Sequence, residues 1–295
     1  MEPLRSLLFV PGNRERMLRK ALTLRADALV PDLESSVPMS EKDKAREMVK
    51  SALPKLAGTG ARIYVRINPF ESGLTWDDLN AVISQHIHGV SIAKVDSADQ
   101  VRELDEIITT LERGKHLPFG QVRIIPWIEN ARGIIRAFEI ASASSRVIAI
   151  AFGAEDFAAD MGVARSRDGM EILYARNHVA ISARAAHKIA LDTGYVHFND
   201  LDGLRADASL ALRLGFKGKF AIHPSQVKVI NEVFSPTQAE IDQAKKVVKL
   251  FQNAETRGEG TTSLEGQMID VDIALRAQKL LLQAESLAEK ESPRN

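Results

Sequence analysis

Five short apolar stretches of this chain run directly into charged or amide side chains. Asp32 and Glu34 follow Ala28-Leu-Val30. Arg66 and Asn68 end Tyr64-Val-Arg66-Ile-Asn68, Lys94 and Asp96 end Ala93-Lys94-Val-Asp96, Glu129 and Asn130 follow Trp127-Ile128, and Glu155 and Asp156 end Phe152-Gly-Ala-Glu155-Asp156. In a parallel βα barrel, polar residues at the C-terminal ends of the strands line the active site. Gathered at one mouth, Glu129 and Asp156 offer hard carboxylate oxygens, which suit Mg2+ with water and substrate completing its octahedron and disfavour soft or imidazole-led metals. Arg66 offers a planar fork of donors matched to a carboxylate. A small oxo-acid is the implied ligand, with Asp32, Glu34 and Lys94 as candidate supports.

Gly153 permits a tight turn, after which the backbone N–H groups of Ala154, Glu155 and Asp156 could face an anion. Each residue also has a plainer explanation. A strand-end acid serves equally well as a helix cap or a rim ion pair, and Lys94 and Asp96, two apart on a strand, could form a salt bridge. His223-Pro224 invites a general-base role, but a strand-to-helix turn is the better account. His86 and His88 suit a helix C-terminus. Arg14, Arg16, Arg19 and Lys20 form either a solvated helix face or a grip on the phosphates of a large anionic carrier. Convergence favours function for the carboxylates and Arg66, because a mouth lined by unpaired charges is costly without one.

The elements that must position these groups are legible as a rhythm of short β-rich runs and longer helical segments, which predicts parallel βα units. Eight strands are expected, at 6–10, 28–33, 62–67, 89–95, 122–128, 147–152, 188–191 and 219–222, with 195–198 competing for the seventh. Helix starts are expected at Ser40-Glu41 and at Ser97, and stops at Gly58-Thr-Gly60 and Gly114. The fold class is therefore α/β, a (β/α)8 TIM barrel over 1–235, followed by a C-terminal helical extension over 236–295. That extension reads as a helix at 236–252, a Gly-rich hinge at 256–262 and a second helix at 269–288, an arrangement suited to a lid.

A chain of 295 residues with 45% hydrophobic content can bury one large core. Lys+Arg and Asp+Glu both number 39, so no global field gathers nucleic acid or an anionic membrane. The absence of Cys removes disulfides, thiolate metal sites and Cys nucleophiles and fits a reducing cytoplasm. Nothing approaches a membrane span, and the expectation is a soluble, unprocessed protein.

These residues resemble the citrate lyase β-subunit-like group of the HpcH/HpaI aldolase superfamily, which includes malyl-CoA and citramalyl-CoA lyases. The resemblance is carried by Arg5-Ser-Leu-Leu-Phe-Val-Pro-Gly12, Asp32-Leu-Glu34, Val65-Arg66-Ile-Asn-Pro69, Ile128-Glu129-Asn-Ala-Arg-Gly133, Phe152-Gly-Ala-Glu-Asp156, Ile222-His-Pro-Ser225 and Gly266-Gln-Met-Ile-Asp270. It implies Mg2+ held by Glu129 and Asp156, with Mn2+ an acceptable substitute, and Arg66 on the oxo-acid carboxylate. A CoA thioester is the implied substrate, cleaved in a retro-Claisen step. It also implies a homotrimer or hexamer whose C-terminal lid covers a neighbour's site and delivers Asp270 as catalytic acid. Relatives carry a further acid where Ser35 stands. Rival readings are a citrate lyase β subunit acting on a citryl-acyl carrier protein, and a non-catalytic barrel that binds an acyl-CoA or a protein.

Overall fold

The computed structural model of the protein describes residues 3–291. All eight expected strands form: β1 Ser6–Pro11, β2 Ala28–Asp32, β3 Arg62–Ile67, β4 Gly89–Ile92, β5 Arg123–Ile128, β6 Ala149–Phe152, β7 Ile189–Asp192 and β8 Gly218–Ala221. They close in sequence order into a parallel barrel, with β8 returning to β1 so that Leu7 faces Phe220 in register. Leu7, Val30, Tyr64, Trp127, Leu191 and Phe220 belong to the cluster that fills the interior, as expected of a barrel packed with side chains rather than left as a pore.

The differences from expectation lie at strand ends. β4 stops at Ile92 instead of Val95, because Lys94 adopts a left-handed φ of 56° that cannot continue a ladder. Val147 makes only an isolated bridge to Ile124 before β6 begins. The seventh strand is Ile189–Asp192, and 195–198 lies in the loop that follows it.

The helices of the barrel unit are α1 Glu15–Ala21, α2 Lys42–Ala57, α3 Thr75–Val82, α4 Ala98–Gly114, α5 Ala131–Ile135, α6 Ala137–Ser142, α7 Ala154–Asp160, α8 Met170–Ala185, α9 Leu201–Leu214 and α10 Pro224–Val233. Ser97 caps α4 through a capping box with Gln100. Ser40 does not cap α2: Met39–Glu41 forms a 3-10 turn after Pro38, and α2 starts at Lys42 without a side-chain cap. Four buried or half-buried charges tie β7 and β8 to the helices outside them. Lys219 bonds Asp192 at 2.5 Å and pairs with Asp207 at 2.6 Å, and Arg176 grips both acids.

Leu4–Asn231 forms one compact unit, and the chain from Glu232 onward contributes to a second. In the second, α11 Gln238–Thr256 starts at a capping box between Thr237 and Glu240, and α12 Val271–Glu291 packs on it through Ala244, Val247, Phe251, Ala274 and Ala277. Between them stands an unforeseen hairpin, β9 Thr262–Leu264 with β10 Gln267–Ile269. Its two-residue turn has both Glu265 and Gly266 left-handed, at φ 53° and 81°, which matches the twist of a tight hairpin. No helix among the described residues is long and apolar enough to cross a membrane.

Candidate active site

Asp32 ends β2 directly opposite Arg66 on β3. The register brings the two side chains together as a fork: Arg66 Nε donates to Asp32 Oδ1 at 2.7 Å and Nη2 to Oδ2 at 2.6 Å. Nη2 also donates to Ser35 Oγ at 2.6 Å, and Nη1 lies 3.3 Å from Glu34 Oε2. The Arg66 guanidinium lies 4.2 Å above the Phe9 ring. Phe9 in turn stacks on Phe220 at 5.1 Å. Burial opposes ionisation of Asp32, but the charge and hydrogen bonds of Arg66, with N–H groups of Ser36 and Glu34, hold its carboxyl below the ordinary range. The Ser35 hydroxyl, the departure noted from the family pattern, accepts from Arg66 without adding negative charge.

The loop that carries Glu34 and Ser35 is fastened by residues that sequence reasoning missed. Lys42 Nζ, at the start of α2, donates to the carbonyls of Leu33 at 2.6 Å and Glu34 at 2.7 Å, and to Asn68 Oδ1 at 2.7 Å. Asn68 passes the constraint to Asp78 through its backbone N–H and its amide. A lysine one residue after a helix cap reads as a solvated charge, and only the folded chain shows what it reaches.

Glu129 directly follows β5 and is 5% exposed. It accepts the backbone N–H of Lys94 at 2.6 Å. The contribution of Lys94 is therefore its main chain, presented by its left-handed turn, while its side chain is exposed. Burial, then the neighbouring Asp156 carboxylate, pushes Glu129 up to about 7. Gly153 is required for a reason other than a strained turn: its φ is −107°, but a Cβ there would stand 2.5 Å from Glu129 Oε2. Asp156 lies in the exposed first turn of α7. Two neighbouring carboxylates, of which buried Glu129 resists ionisation, beside a mouth open to solvent, are a donor set that a hard divalent cation would satisfy. No group of three or more His, Cys, Asp or Glu able to hold a metal gathers among the described residues.

Other candidates are engaged elsewhere. Glu155 turns away to Arg165 at 3.0 Å, and the Ala154 N–H donates to Thr193 Oγ1 at 3.3 Å. Lys94 and Asp96 do not pair on a strand, since β4 has ended; the partner of Asp96 is Arg132 at 3.8 Å. Asn130 caps α5. His88 accepts the Ile63 N–H and is structural. Arg14, Arg16 and Arg19 line a cavity of about 750 Å3 between α1 and α2, joined by Lys44 and Lys55, whereas Lys20 lies outside its lining. Asp270 belongs to the second unit, where its Oδ1 caps α12 by accepting from Ile273 N at 3.0 Å.

The model of the HpcH/HpaI aldolase/citrate lyase family matches residues 5–224. Citrate lyase subunit beta of Leuconostoc mesenteroides subsp. cremoris is 38% identical over 277 residues, covering 94% of this chain and 92% of that protein. Mitochondrial citramalyl-CoA lyase of Homo sapiens is 30% identical over 298 residues, covering 98% and 87%. A solved structure of CitE from Mycobacterium tuberculosis, in complex with magnesium, acetoacetate and coenzyme A, superposes with a TM-score of 0.76 at 28% identity, covering 96% of this chain and 98% of that one. With the barrel and its strand-end acids in place, the chain belongs to the HpcH/HpaI aldolase/citrate lyase family and is a carbon–carbon lyase.

Proposed function

We propose that the protein cleaves a 3-hydroxyacyl-CoA thioester of the malyl-CoA or citramalyl-CoA type into an oxo-acid and an acyl-CoA. The observation that supports this reading is that buried Glu129 feels the charges of both Asp156 and Arg66, the latter a guanidinium already fixed in orientation by Asp32. Glu129 and Asp156 would hold Mg2+, which supplies Lewis-acid stabilisation of charge developing on the oxygens of the hydroxy-acid end. Mn2+, with similar oxygen preferences, would substitute.

Arg66 receives the carboxylate of the hydroxy-acid end at Nη1, the nitrogen whose protons are not both committed to Asp32 and Ser35, and limits its rotation, so that the reacting bond is aligned before it breaks. First-turn backbone N–H groups of α7 at Glu155 and Asp156 would add donors for that carboxylate. The hydroxyl gives up its proton to a base, the carbon–carbon bond opens, and its electron pair passes to the thioester as an enolate. Asp270, brought by the C-terminal extension of a neighbouring subunit in a trimer or hexamer, then protonates the enolate carbon, and acts as base in the reverse condensation. Arg14, Arg16 and Arg19 take the phosphates of CoA in the basic cavity beside α1.

A panel of malyl-, citramalyl-, methylmalyl- and citryl-CoA thioesters, assayed with Mg2+ and with product analysis, tests the reading, and cleavage of none of them would remove it. Asp270→Asn is expected to lose most turnover while binding substrate normally; full turnover would take Asp270 out of the mechanism. The higher identity to citrate lyase subunit beta favours a second reading, in which the thioester is citryl-acyl carrier protein and the released acid is oxaloacetate. Cleavage of a carrier-bound thioester with no action on free CoA thioesters would select it.

A further inference from the structure

The carboxylates and Arg66 occupy the arc of the mouth from β2 to β6, and the arc formed by β7 and β8 has no role in the reading above. Its two exit loops form a built wall. After β8, Ile222 and His223 are exposed, and after β7, Val196, His197 and Phe198 are exposed. The fully buried Gln226 ties the two loops together: its Oε1 accepts from Ile222 N at 2.8 Å and His223 N at 3.3 Å, and its Nε2 donates to Tyr195 O at 2.7 Å. The Phe198 ring stacks on the His223 ring with centroids 5.2 Å apart.

The tautomer of His223 follows from its neighbours. Ser225 N donates to His223 Nδ1 at 3.2 Å, and Ser225 Oγ lies 2.7 Å from the same atom. A backbone N–H can only donate, so Nδ1 carries the lone pair and the ring proton sits on Nε2. Among the described residues Nε2 has no hydrogen-bond partner. An imidazole fixed at its backbone, its Nδ1 and its face, with one N–H left over, is a positioned donor. A general base at Nε2 would need the opposite tautomer. The strand that carries this loop, β8, pairs with β1, which leads into the basic cavity beside α1.

We propose that His223 donates its Nε2–H to the thioester carbonyl oxygen of the substrate, with Phe198 and Ile222 as the wall for the acyl portion. The inference rests on the thioester-lyase reading. When the carbon–carbon bond opens, negative charge collects on that oxygen, and a fixed donor placed against it lowers the barrier. No proton leaves His223: it shares a hydrogen bond, while the carbon is protonated from elsewhere.

The test compares binding of acetyl-CoA with that of S-ethyl-CoA, a thioether without the carbonyl, by calorimetry, in the parent protein and in His223→Gln and His223→Phe. The parent is expected to prefer the thioester about fivefold. His223→Phe should abolish the preference, and His223→Gln, which keeps an N–H near the same place, should retain most of it. On a cleaved thioester, kcat of His223→Phe should fall about 100-fold with KM changed less than about threefold. Equal binding of both ligands by the parent, or a folded His223→Phe that keeps the preference and the kcat, overturns the proposal alone. Failure of the parent to bind either ligand overturns the CoA reading with it. Should His223→Phe not fold, His223→Ala, which removes the N–H without adding bulk, takes its place with the same expected loss.

Discussion

Arg66 and Asp32 face each other across adjacent parallel strands and share two parallel hydrogen bonds of 2.7 and 2.6 Å, so the guanidinium plane is set before any ligand arrives. A lysine keeps the charge but has no fork. Arg66→Lys should therefore lower kcat/KM about 100-fold, the scale expected when a positioning group is displaced by about an ångström, while Mg2+ affinity changes less than about threefold. Thioester kinetics alongside calorimetry check this, and a variant with near-parental kcat/KM would show that the fork is dispensable.

The metal assignment stands on two side chains. Glu129→Gln and Asp156→Asn should each weaken Mg2+ binding by more than about tenfold, since even the supporting residues of metal sites cost about 10- to 100-fold when changed. Unchanged calorimetric affinity in both variants would exclude the pair as ligands.

Glu129 also gives the site a pH dependence. Its carboxyl is raised from 4.5 to about 7 by burial and by Asp156. The folded value exceeds the unfolded one, so ionisation costs the unliganded fold stability: the penalty is absent below about pH 4.5, grows as pH rises toward 7 and is constant above. A metal binds the ionised form, so Mg2+ affinity should fall about tenfold per unit below pH 7 and level off above it. Calorimetry at about pH 5.5, 6.5 and 7.5 measures the slope, and a flat profile would contradict it.

Gly153→Ala places a methyl 2.5 Å from Glu129 Oε2 and 2.6 Å from its Cβ. Glu129 or the β6 exit must shift, at a cost of about 1–3 kcal/mol. Urea unfolding should register that loss together with weakened Mg2+ binding. Loss of stability with metal binding intact would mean that the backbone, and not the ligand, had moved.

Lys219→Met, away from the mouth, strips Asp192 of a buried partner and should destabilise by about 3–5 kcal/mol with Mg2+ affinity unchanged. Denaturant titration and calorimetry on the same preparation separate the two effects.

The parts of the site legible in the sequence were those written along one strand. An apolar run ending in an acid or an arginine identifies a mouth residue wherever the fold is a barrel, and Arg66, Glu129 and Asp156 all sit on or just after the expected strands. Residues that act between elements were not legible. Lys42 reaches back to the carbonyls of Leu33 and Glu34, and Gln226 joins the exits of β7 and β8; neither leaves a periodic or spacing signal. Lys94 was noticed for its ammonium and matters for its N–H. The Gly-rich stretch after α11 suggested a hinge, but β9 and β10 pair there, because left-handed Glu265 and Gly266 make a tight turn from a dipeptide outside the usual Asn-Gly or Asp-Gly pattern.

The Phe9 ring lies under Arg66 on one side and packs with Phe220 and Trp127 on the other. The proposed anchor for the substrate and the filling of the barrel thus share a floor. A conservative exchange among those three aromatics is absorbed as a small change of ring tilt, and it reaches the guanidinium as a change of aim. Drift in the interior of this enzyme should therefore surface first as altered preference among acids, well before it surfaces as a failure to fold.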